Sequence, residues 1–296
     1  MQHARGSLVL GVAALALLAS GCSSTTGGAT GTPAPATTFA GAASPDSTIT
    51  AEYLPALPAT MRLPKASGPA PLVVLVPGGG WTSADPTGLV PLAQELTTSG
   101  ATTATITYGT TSTGATYPQP PDDVACAVRW AAAQAAKAGH PPSGVVVLGP
   151  SAGGHLASLV ALSGDRFAAG CADPPVQIDG LVGLAGVYSI RQAADAVAPL
   201  FGSTPDQDPQ SWNEGDPTWW VTQSPPARLP KVLLLHGDAD DVVPMSQTDD
   251  FATALRGAGA DVTVDVVPGA DHQTIYQAAV ASGLVETWLA ELSSSG

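Results

Sequence analysis

Ser151 lies in a glycine-rich turn whose residue types suit nucleophilic chemistry. The segment GPSAGG, residues 149–154, follows an apolar run at residues 145–148 and precedes a stretch with helical character. A G-x-S-x-G turn between a strand and a helix is a nucleophile elbow, and the sharp turn requires small residues beside the serine. The positive end of the following helix favours the negative charge that develops there. The pattern predicts that Ser151 is a nucleophile.

A serine hydroxyl needs a base, which here must be a histidine. His272 follows the last predicted strand, and open α/β sheets place their sites beyond the carboxyl ends of strands. His140 precedes a strand and so lies at the opposite end of the sheet, and His155 on the nucleophile helix is expected to pack or hydrogen-bond there. His236 follows directly from a buried strand. We therefore predict that His272 is the base.

The base needs a carboxylate that fixes its tautomer and stabilises the imidazolium. For this chain order the acid should lie between the serine and the histidine. Asp238, Asp240 and Asp241 all follow the predicted strand at residues 232–235. Their spacing from the strand leaves all three open.

Backbone N–H groups that stabilise an oxyanion are predicted at two places. Ala152 directly follows the nucleophile, and three glycines follow a predicted strand in the segment VPGGGW, residues 76–81. Glycines leave their N–H groups unobstructed, as an oxyanion hole requires. Trp81 beside this loop and Tyr188 after a strand end are the predicted walls of a substrate pocket. The aromatic residues of the segment 192–230 either line an acyl or aryl pocket or form a small satellite core; they are Phe201, Trp212, Trp219 and Trp220.

The remaining pattern is that of an α/β fold. Strands that are apolar runs rather than alternations are buried on both faces, as in a parallel sheet between layers of helices. Strand and helix patterns alternate along the chain, which is typical of this class. The predicted strands are residues 73–76, 102–108, 145–148, 181–187, 232–235 and 262–267, with possible leading edge strands at 48–53 and 59–63. The predicted helices are residues 89–96, 122–138, 152–162, 247–257 and 273–292.

Composition excludes several classes of protein. The chain has 296 residues, 44% of them apolar and 11% charged, with a net charge of −14. A nucleic-acid partner would require a basic patch, and adhesion to anionic lipid would require a polybasic one. Glycine and proline are abundant but follow no collagen period, which excludes a fibrous protein. The sequence contains no metal-ligand cluster and no nicotinamide, flavin or phosphate-loop motif, so we predict no cofactor.

The N-terminal residues are predicted to be a targeting segment and not part of the folded domain. Residues 1–21 carry an apolar run too short to span a bilayer, as in a signal peptide. The run leads into small residues before Cys22, which resembles a bacterial lipobox in which that cysteine is acylated; an ordinary secretory signal is the alternative. Residues 22–46 are rich in Ser, Thr, Gly and Pro and read as a flexible tether. A catalytic domain is predicted for residues 47–296.

Two further cysteines form a candidate disulfide. Cys126 lies on the helix before the elbow strand, and Cys171 lies in the loop after the elbow helix. Disulfides persist in exported proteins, and an even number of cysteines allows a bridge. The alternative is two unpaired thiols. We predict the bridge, because the two helices should be neighbours on one face of the sheet.

These motifs together resemble the α/β-hydrolase superfamily, and within it the bacterial carboxylesterases similar to hormone-sensitive lipase and to feruloyl and acetylxylan esterases. The resemblance extends over residues 48–292. It implies a mostly parallel central sheet with helices on both faces and a small insert between late strands. It selects Asp240 through the motif H-G-x-x-D-x-x-V-P at residue 236, and it assigns Gly79 and Gly80 as oxyanion donors. The family usually has histidine before the three glycines, where this chain has Pro77.

The resemblance implies a serine carboxylic-ester hydrolase. Its expected substrate is a small-molecule or polysaccharide ester, and its expected location is the extracytoplasmic face of a bacterial membrane, through the lipid anchor only, or outside the cell. A serine peptidase of the prolyl-oligopeptidase kind shares the order of the triad; such enzymes usually carry an N-terminal propeller, whereas here we expect a tether before the domain. The third hypothesis is a catalytically inactive surface lipoprotein that keeps the fold as a binding module.

Overall fold

The computed structural model describes residues 47–225 and 228–294, all within one structural unit. The predicted signal peptide, the predicted tether and Cys22 lie outside these residues. The predicted domain is therefore seen from its first residue, Ser47, nearly to its end.

The described residues build an eight-stranded sheet in the order β1-β2-β4-β3-β5-β6-β7-β8. β1 and β2 are antiparallel to their neighbours, whereas every later pair is parallel. The expected α/β-hydrolase fold with a mostly parallel sheet is confirmed. The strands are β1 Ser47–Leu54, β2 Leu57–Leu63, β3 Ala70–Leu75, β4 Thr102–Ile106, β5 Pro142–Pro150, β6 Gly180–Leu184, β7 Lys231–Gly237 and β8 Val262–Val267.

The apolar runs form this sheet because both of its faces are covered. Val74 of β3 belongs to a core shared with α2, α3 and α7, whereas Val73 and Leu75 face a second core shared with α1 and α8. Successive side chains of a strand point to opposite faces of the sheet, and here each face packs against an apolar core, so neither face is exposed to solvent. The helices are α1 Val90–Thr98, α2 Gln119–Lys137, α3 Ala152–Leu162, α4 Ala194–Phe201, α5 Pro209–Glu214, α6 Pro217–Gln223, α7 Met245–Gly257 and α8 Ala278–Ser294.

Two elements differ from the prediction. β2 is not an edge strand, because it pairs with β1 on one side and with β4 on the other. The last helix begins at Ala278, five residues later than predicted. Asp271 accepts the N–H groups of Gln273 and Thr274, and this side-chain bonding closes a turn where a helix was expected. His272 consequently lies in a loop.

The insert between β6 and β7 consists of the three short helices α4, α5 and α6. Asp208 and Asp216 cap α5 and α6 by accepting the N–H groups of Ser211 and Thr218. The insert packs on the same side of the sheet as α2 and α3. Among the described residues, no helix combines the length and apolarity that crossing a bilayer requires.

Cys126 and Cys171 form a disulfide. Cys126 lies in α2, and Cys171 lies in the loop after α3, with the two Cα atoms 4.9 Å apart. α2 and α3 are neighbours in the same core, which brings the two cysteines together across 45 residues of chain. The bridge encloses the nucleophile elbow.

Candidate active site

Ser151 occupies the turn between β5 and α3 in a backbone conformation that side chains rarely adopt. Its φ and ψ angles are 52° and −124°. Such a conformation persists only where the surroundings impose it, and it is common at catalytic turns. A Cβ atom at Gly153 would lie 2.2 Å from the carbonyl oxygen of Val76, and one at Gly149 would lie 2.4 Å from Gly153. The glycines therefore let the elbow approach the loop after β3.

His272 and Asp240 are joined by a hydrogen bond. The loop after β8 carries His272, the loop after β7 carries Asp240, and the distance from His272 Nδ1 to Asp240 Oδ2 is 2.7 Å. The carboxylate accepts the Nδ1 proton, so the other ring nitrogen, Nε2, is left as the basic atom. Both side chains are almost fully buried, at 8% and 1% exposure.

The other oxygen of Asp240 is held by the backbone. Oδ1 accepts the N–H groups of Val242 and Val243 at 2.8 and 2.9 Å. Burial by itself raises the pKa of Asp240, but the hydrogen bonds from Val243, His272 and Val242 outweigh it and hold the pKa below its usual range. The carboxylate is therefore charged wherever the base must work.

The two other candidate carboxylates lie elsewhere. Asp238 is exposed and accepts the N–H of Gly269 at 2.6 Å, so it closes the loop after β8. Asp241 is exposed to solvent. Of the three aspartates after β7, the structure brings only Asp240 to the ring of His272.

The loop after β3 presents free backbone donors. Gly79 and Gly80 have φ angles of +120° and +57°, the left-handed region that glycine adopts without strain. The carbonyl of Gly79 turns back and accepts the N–H groups of Thr82 and Ser83. Within the described residues, no protein acceptor takes the N–H of Gly79, Gly80 or Ala152. These are the three donors that the sequence analysis predicted.

Ser151, His272 and the glycine loop open onto one cleft of about 450 Å³. Its remaining lining combines polar side chains, those of Ser83, Asp85, Thr87, Gln273 and Tyr276, with the apolar residues Pro77, Leu89, Pro150 and Val242. Val242 stands at the cleft with 62% of its surface exposed. Ser151 and His272 make no hydrogen bond to each other in this structure, and such bonds often tighten only when substrate is bound. No group of three or more potential metal ligands occurs among the described residues.

Both predicted pocket walls are wrong, because their side chains point into the protein. The Trp81 ring is 4% exposed and donates its Nε1–H to Nδ1 of His155 at 3.0 Å. Tyr188 is fully buried and stacks on Phe251, with 4.3 Å between ring centroids. Neither side chain lines the cleft at Ser151. Both rings are buried because they pack against other side chains of the interior. Their positions after strand ends in the sequence did not reveal this direction.

The aromatic residues of the insert do not line this cleft: Trp212 belongs to the core that α2 and α3 share, and Phe201 and Trp220 pack against that core. Phe201 stacks between Tyr117 and Trp212, with centroid separations of 4.7 and 4.6 Å. Trp212 is completely buried. Trp220 lines a different cavity, near the end of α3.

The supporting roles of two residues were not predicted from the sequence. Tyr108 donates its hydroxyl to the carbonyl of Pro77 at 3.0 Å and so holds the start of the glycine loop, where the family's usual histidine is missing. His236 is buried, and its ring bonds to Thr248 and to the carbonyl of Val243, beside Asp240. A histidine at the end of a buried strand was the visible signal for the second; nothing in the sequence marked the first.

The fold is that of the α/β-hydrolase superfamily. The BD-FAE family matches residues 61–255, and the chain belongs to that family. This confirms the resemblance to the bacterial carboxylesterase group.

Curated relatives include two proteins of Mycobacterium tuberculosis. The probable carboxylic ester hydrolase LipM is 30% identical over 202 residues, which are 64% of this chain and 46% of that protein. The esterase LipQ is 30% identical over 238 residues, or 73% of this chain and 53% of that protein. The chain therefore spans about half the length of the curated relatives it matches.

Solved structures support the fold. A truncated carbohydrate esterase from gut microbiota has a TM-score of 0.75 at 21% identity, covering 85% of this chain and 98% of that one. The thermophilic esterase Est2 of Thermogutta terrifontis has a TM-score of 0.67 at 23% identity, covering 82% and 92%. At such identities the likeness concerns the fold alone.

Proposed function

We propose that this protein is a serine carboxylic-ester hydrolase that works through an acyl-enzyme. The observation that carries the proposal is the single cleft onto which Ser151, the Asp240-bound ring of His272 and the free N–H groups of the glycine loop all open. The names of the relatives LipM and LipQ, which refer to ester hydrolysis, support the same activity.

The proposed reaction has two halves. Ser151 Oγ forms a bond to the ester carbonyl carbon while His272 Nε2 takes the hydroxyl proton, and the N–H groups of Gly79, Gly80 and Ala152 bind the oxyanion. Collapse of this intermediate breaks the bond to the alcohol oxygen, which receives the proton from His272. Water then attacks the acyl-serine with the same proton transfers, releasing the acid and restoring Ser151. The proposed substrate is a small-molecule or polysaccharide ester, to which the cleft offers both polar and apolar side chains.

The decisive experiment is hydrolysis of short p-nitrophenyl esters by the purified protein. We expect turnover by the wild type, and we expect Ser151→Ala to lower kcat by at least about 10⁴-fold, because no other group in the cleft replaces the nucleophile. Ser163→Ala, at the far end of α3, is the matched control and should keep the wild-type rate.

Three outcomes would contradict the proposal. An inactive wild type would favour a silent binding module. Retention of more than about a hundredth of the turnover by Ser151→Ala would exclude this nucleophile. Faster cleavage of a proline-containing peptide amide than of any ester would favour a peptidase.

We further propose that the enzyme is held on the outer face of a bacterial membrane by acyl chains on Cys22. The apolar run before Cys22 and the small residues beside it support this, as does the tether that follows, in which Asp46 is the one charged residue. Two or more acyl chains anchor a protein stably.

Metabolic labelling with an alkyne fatty acid tests the anchor. We expect the wild type to be labelled and to sediment with membranes, and we expect Cys22→Ala to lose both properties. Cys126→Ala is the matched control and should stay labelled, because its sulfur is not at the processing site. A labelled Cys22→Ala variant, or an unlabelled wild type, would refute the anchor.

A further inference from the structure

Trp81 occupies a backbone conformation that its residue type disfavours. Its φ angle is +58°, and it follows two glycines that are also left-handed. Glycine adopts this region without strain, whereas a residue with a Cβ does so at an energetic disadvantage. A tryptophan at a position where glycine would be less strained indicates that contacts of its side chain stabilise this conformation.

The ring of Trp81 is fastened to the nucleophile helix. Trp81 Nε1 donates to His155 Nδ1 at 3.0 Å, and the two rings meet edge to face with 5.5 Å between centroids. His155 lies in the first turn of α3, one turn after Ser151, and is fully buried. The glycine loop and the elbow are thus joined by side chains as well as by close packing of glycine.

The second nitrogen of His155 reaches the insert. Nε2 lies 2.8 Å from the carbonyl oxygen of Gly215, between α5 and α6. Because Nδ1 accepts from Trp81, Nε2 must carry the proton and donate to this carbonyl. Only the neutral ring with its proton on Nε2 satisfies both bonds. Burial lowers the pKa of His155 to about 4, which keeps the ring in that form at neutral pH.

We propose that Trp81 and His155 are positioning residues for the ester hydrolysis proposed above. The bond between them holds the loop Gly79–Trp81 in the left-handed conformation that turns its N–H groups towards the cleft. The bond to Gly215 ties this loop to the insert. Neither side chain lines the cleft, so both act through the donors of the oxyanion hole, and the inference rests on the proposed function.

The test compares variants that remove one partner at a time in the purified protein, with kcat and KM measured on p-nitrophenyl acetate. Trp81→Phe keeps an aromatic ring but removes the indole N–H donor, and we expect kcat to fall by about tenfold to a hundredfold with KM changed less than about threefold. His155→Leu should lower kcat similarly. The double variant should be no worse than the poorer single variant, because both changes break one bond.

A conservative variant and a matched control separate positioning from general packing. Glutamine can accept from Trp81 and donate to Gly215, so His155→Gln should recover most of the kcat lost in His155→Leu. Trp212→Phe removes another buried indole donor, to Ser203 in the same insert, and should leave kcat at the wild-type value. If His155→Leu does not fold, Trp81→Phe and His155→Gln decide the question.

The outcomes distinguish this inference from the proposed function. An inactive wild type, or an active Ser151→Ala variant, would overturn the proposed function itself. With an active wild type, a Trp81→Phe variant within about twofold of its kcat would overturn the positioning role alone. So would multiplicative effects in the double variant, because they would show that the two residues act separately.

Discussion

Residues of the same type take different roles in this protein because their hydrogen-bond partners differ. His272 faces the cleft with one nitrogen bound to Asp240, whereas His155 has both nitrogens bound within the buried interior. Asp240 is held by two backbone N–H groups and one imidazole, whereas the exposed Asp238 bonds only to the loop that follows β8. A base or an orienting acid is thus defined by the atoms around it.

The contrast between the two carboxylates yields a prediction at this scale. We expect Asp240→Asn to lower kcat for ester hydrolysis by about 10³–10⁴-fold, because the amide stabilises neither the required tautomer nor the imidazolium. Asp238→Asn should lower it by less than about tenfold, the effect of one weakened hydrogen bond. Steady-state kinetics of both variants would measure this. A larger loss in Asp238→Asn would show that His272 has been paired with the wrong residue.

The elements around the site are joined at their ends by buried polar contacts. The start of α2 carries Asp123, which accepts the N–H of Gly109 at 2.8 Å in the loop after β4. The same loop contains Thr111, whose N–H bonds to the carbonyl of Trp81 at 2.9 Å. The carboxylate of Asp123 therefore supports the segment that backs the glycine loop.

Burial of Asp123 makes this contact depend on pH. Burial raises the pKa of Asp123 to about 6; the Gly109 bond opposes the rise and nearby Asp122 adds to it. Between about pH 4 and 6 the folded protein then keeps a proton that the unfolded chain has lost. Stability from this group is therefore full at low pH and decreases as the pH rises through that window.

We expect Asp123→Asn to remove this dependence. The wild type should lose stability over this range and the variant should not, so the free energy of unfolding of the variant minus that of the wild type should increase by about 2–3 kcal/mol between pH 4 and pH 7. Urea unfolding at several pH values measures it, with the exposed Asp249→Asn as the control. A difference between variant and wild type that is independent of pH would contradict the prediction.

On the scale of the whole molecule, one covalent link encloses the catalytic elbow. The disulfide from Cys126 to Cys171 closes a loop of 45 residues that contains β5, Ser151 and α3. A cross-link of this span restricts the unfolded chain far more than the folded one. It therefore stabilises the part of the fold that carries the nucleophile without entering the cleft.

Reduction should accordingly destabilise the protein while leaving the site chemically intact. From the loop length we expect a loss of about 4 kcal/mol and a decrease in Tm of about 10 °C. Thermal unfolding with and without a thiol reductant measures this. The Cys126→Ser/Cys171→Ser variant is the control, and reductant should not change its Tm. Free thiols at these two positions in the denatured, unreduced protein would disprove the bridge.

The sequence alone determined the features that depend on local sterics and on periodicity. Apolar runs located the central strands within a few residues, because a strand that is buried on both faces consists almost entirely of apolar residues. The flanking glycines indicated the elbow at Ser151, since only residues without a side chain fit where β5, α3 and the glycine loop meet. The helix 152–162 was predicted at its observed limits.

Only the tertiary structure decided features that depend on contacts between distant segments. By their spacing, Asp238, Asp240 and Asp241 were equivalent candidates, and the resemblance alone favoured Asp240. The hydrogen bond from His272 to Asp240 forms because the fold brings the loops after β7 and β8 together. Trp81 and Tyr188 follow strand ends in sequence, yet their rings turn inward. The direction of a side chain is set by the surfaces that pack around it, and those surfaces come from parts of the chain far away in sequence.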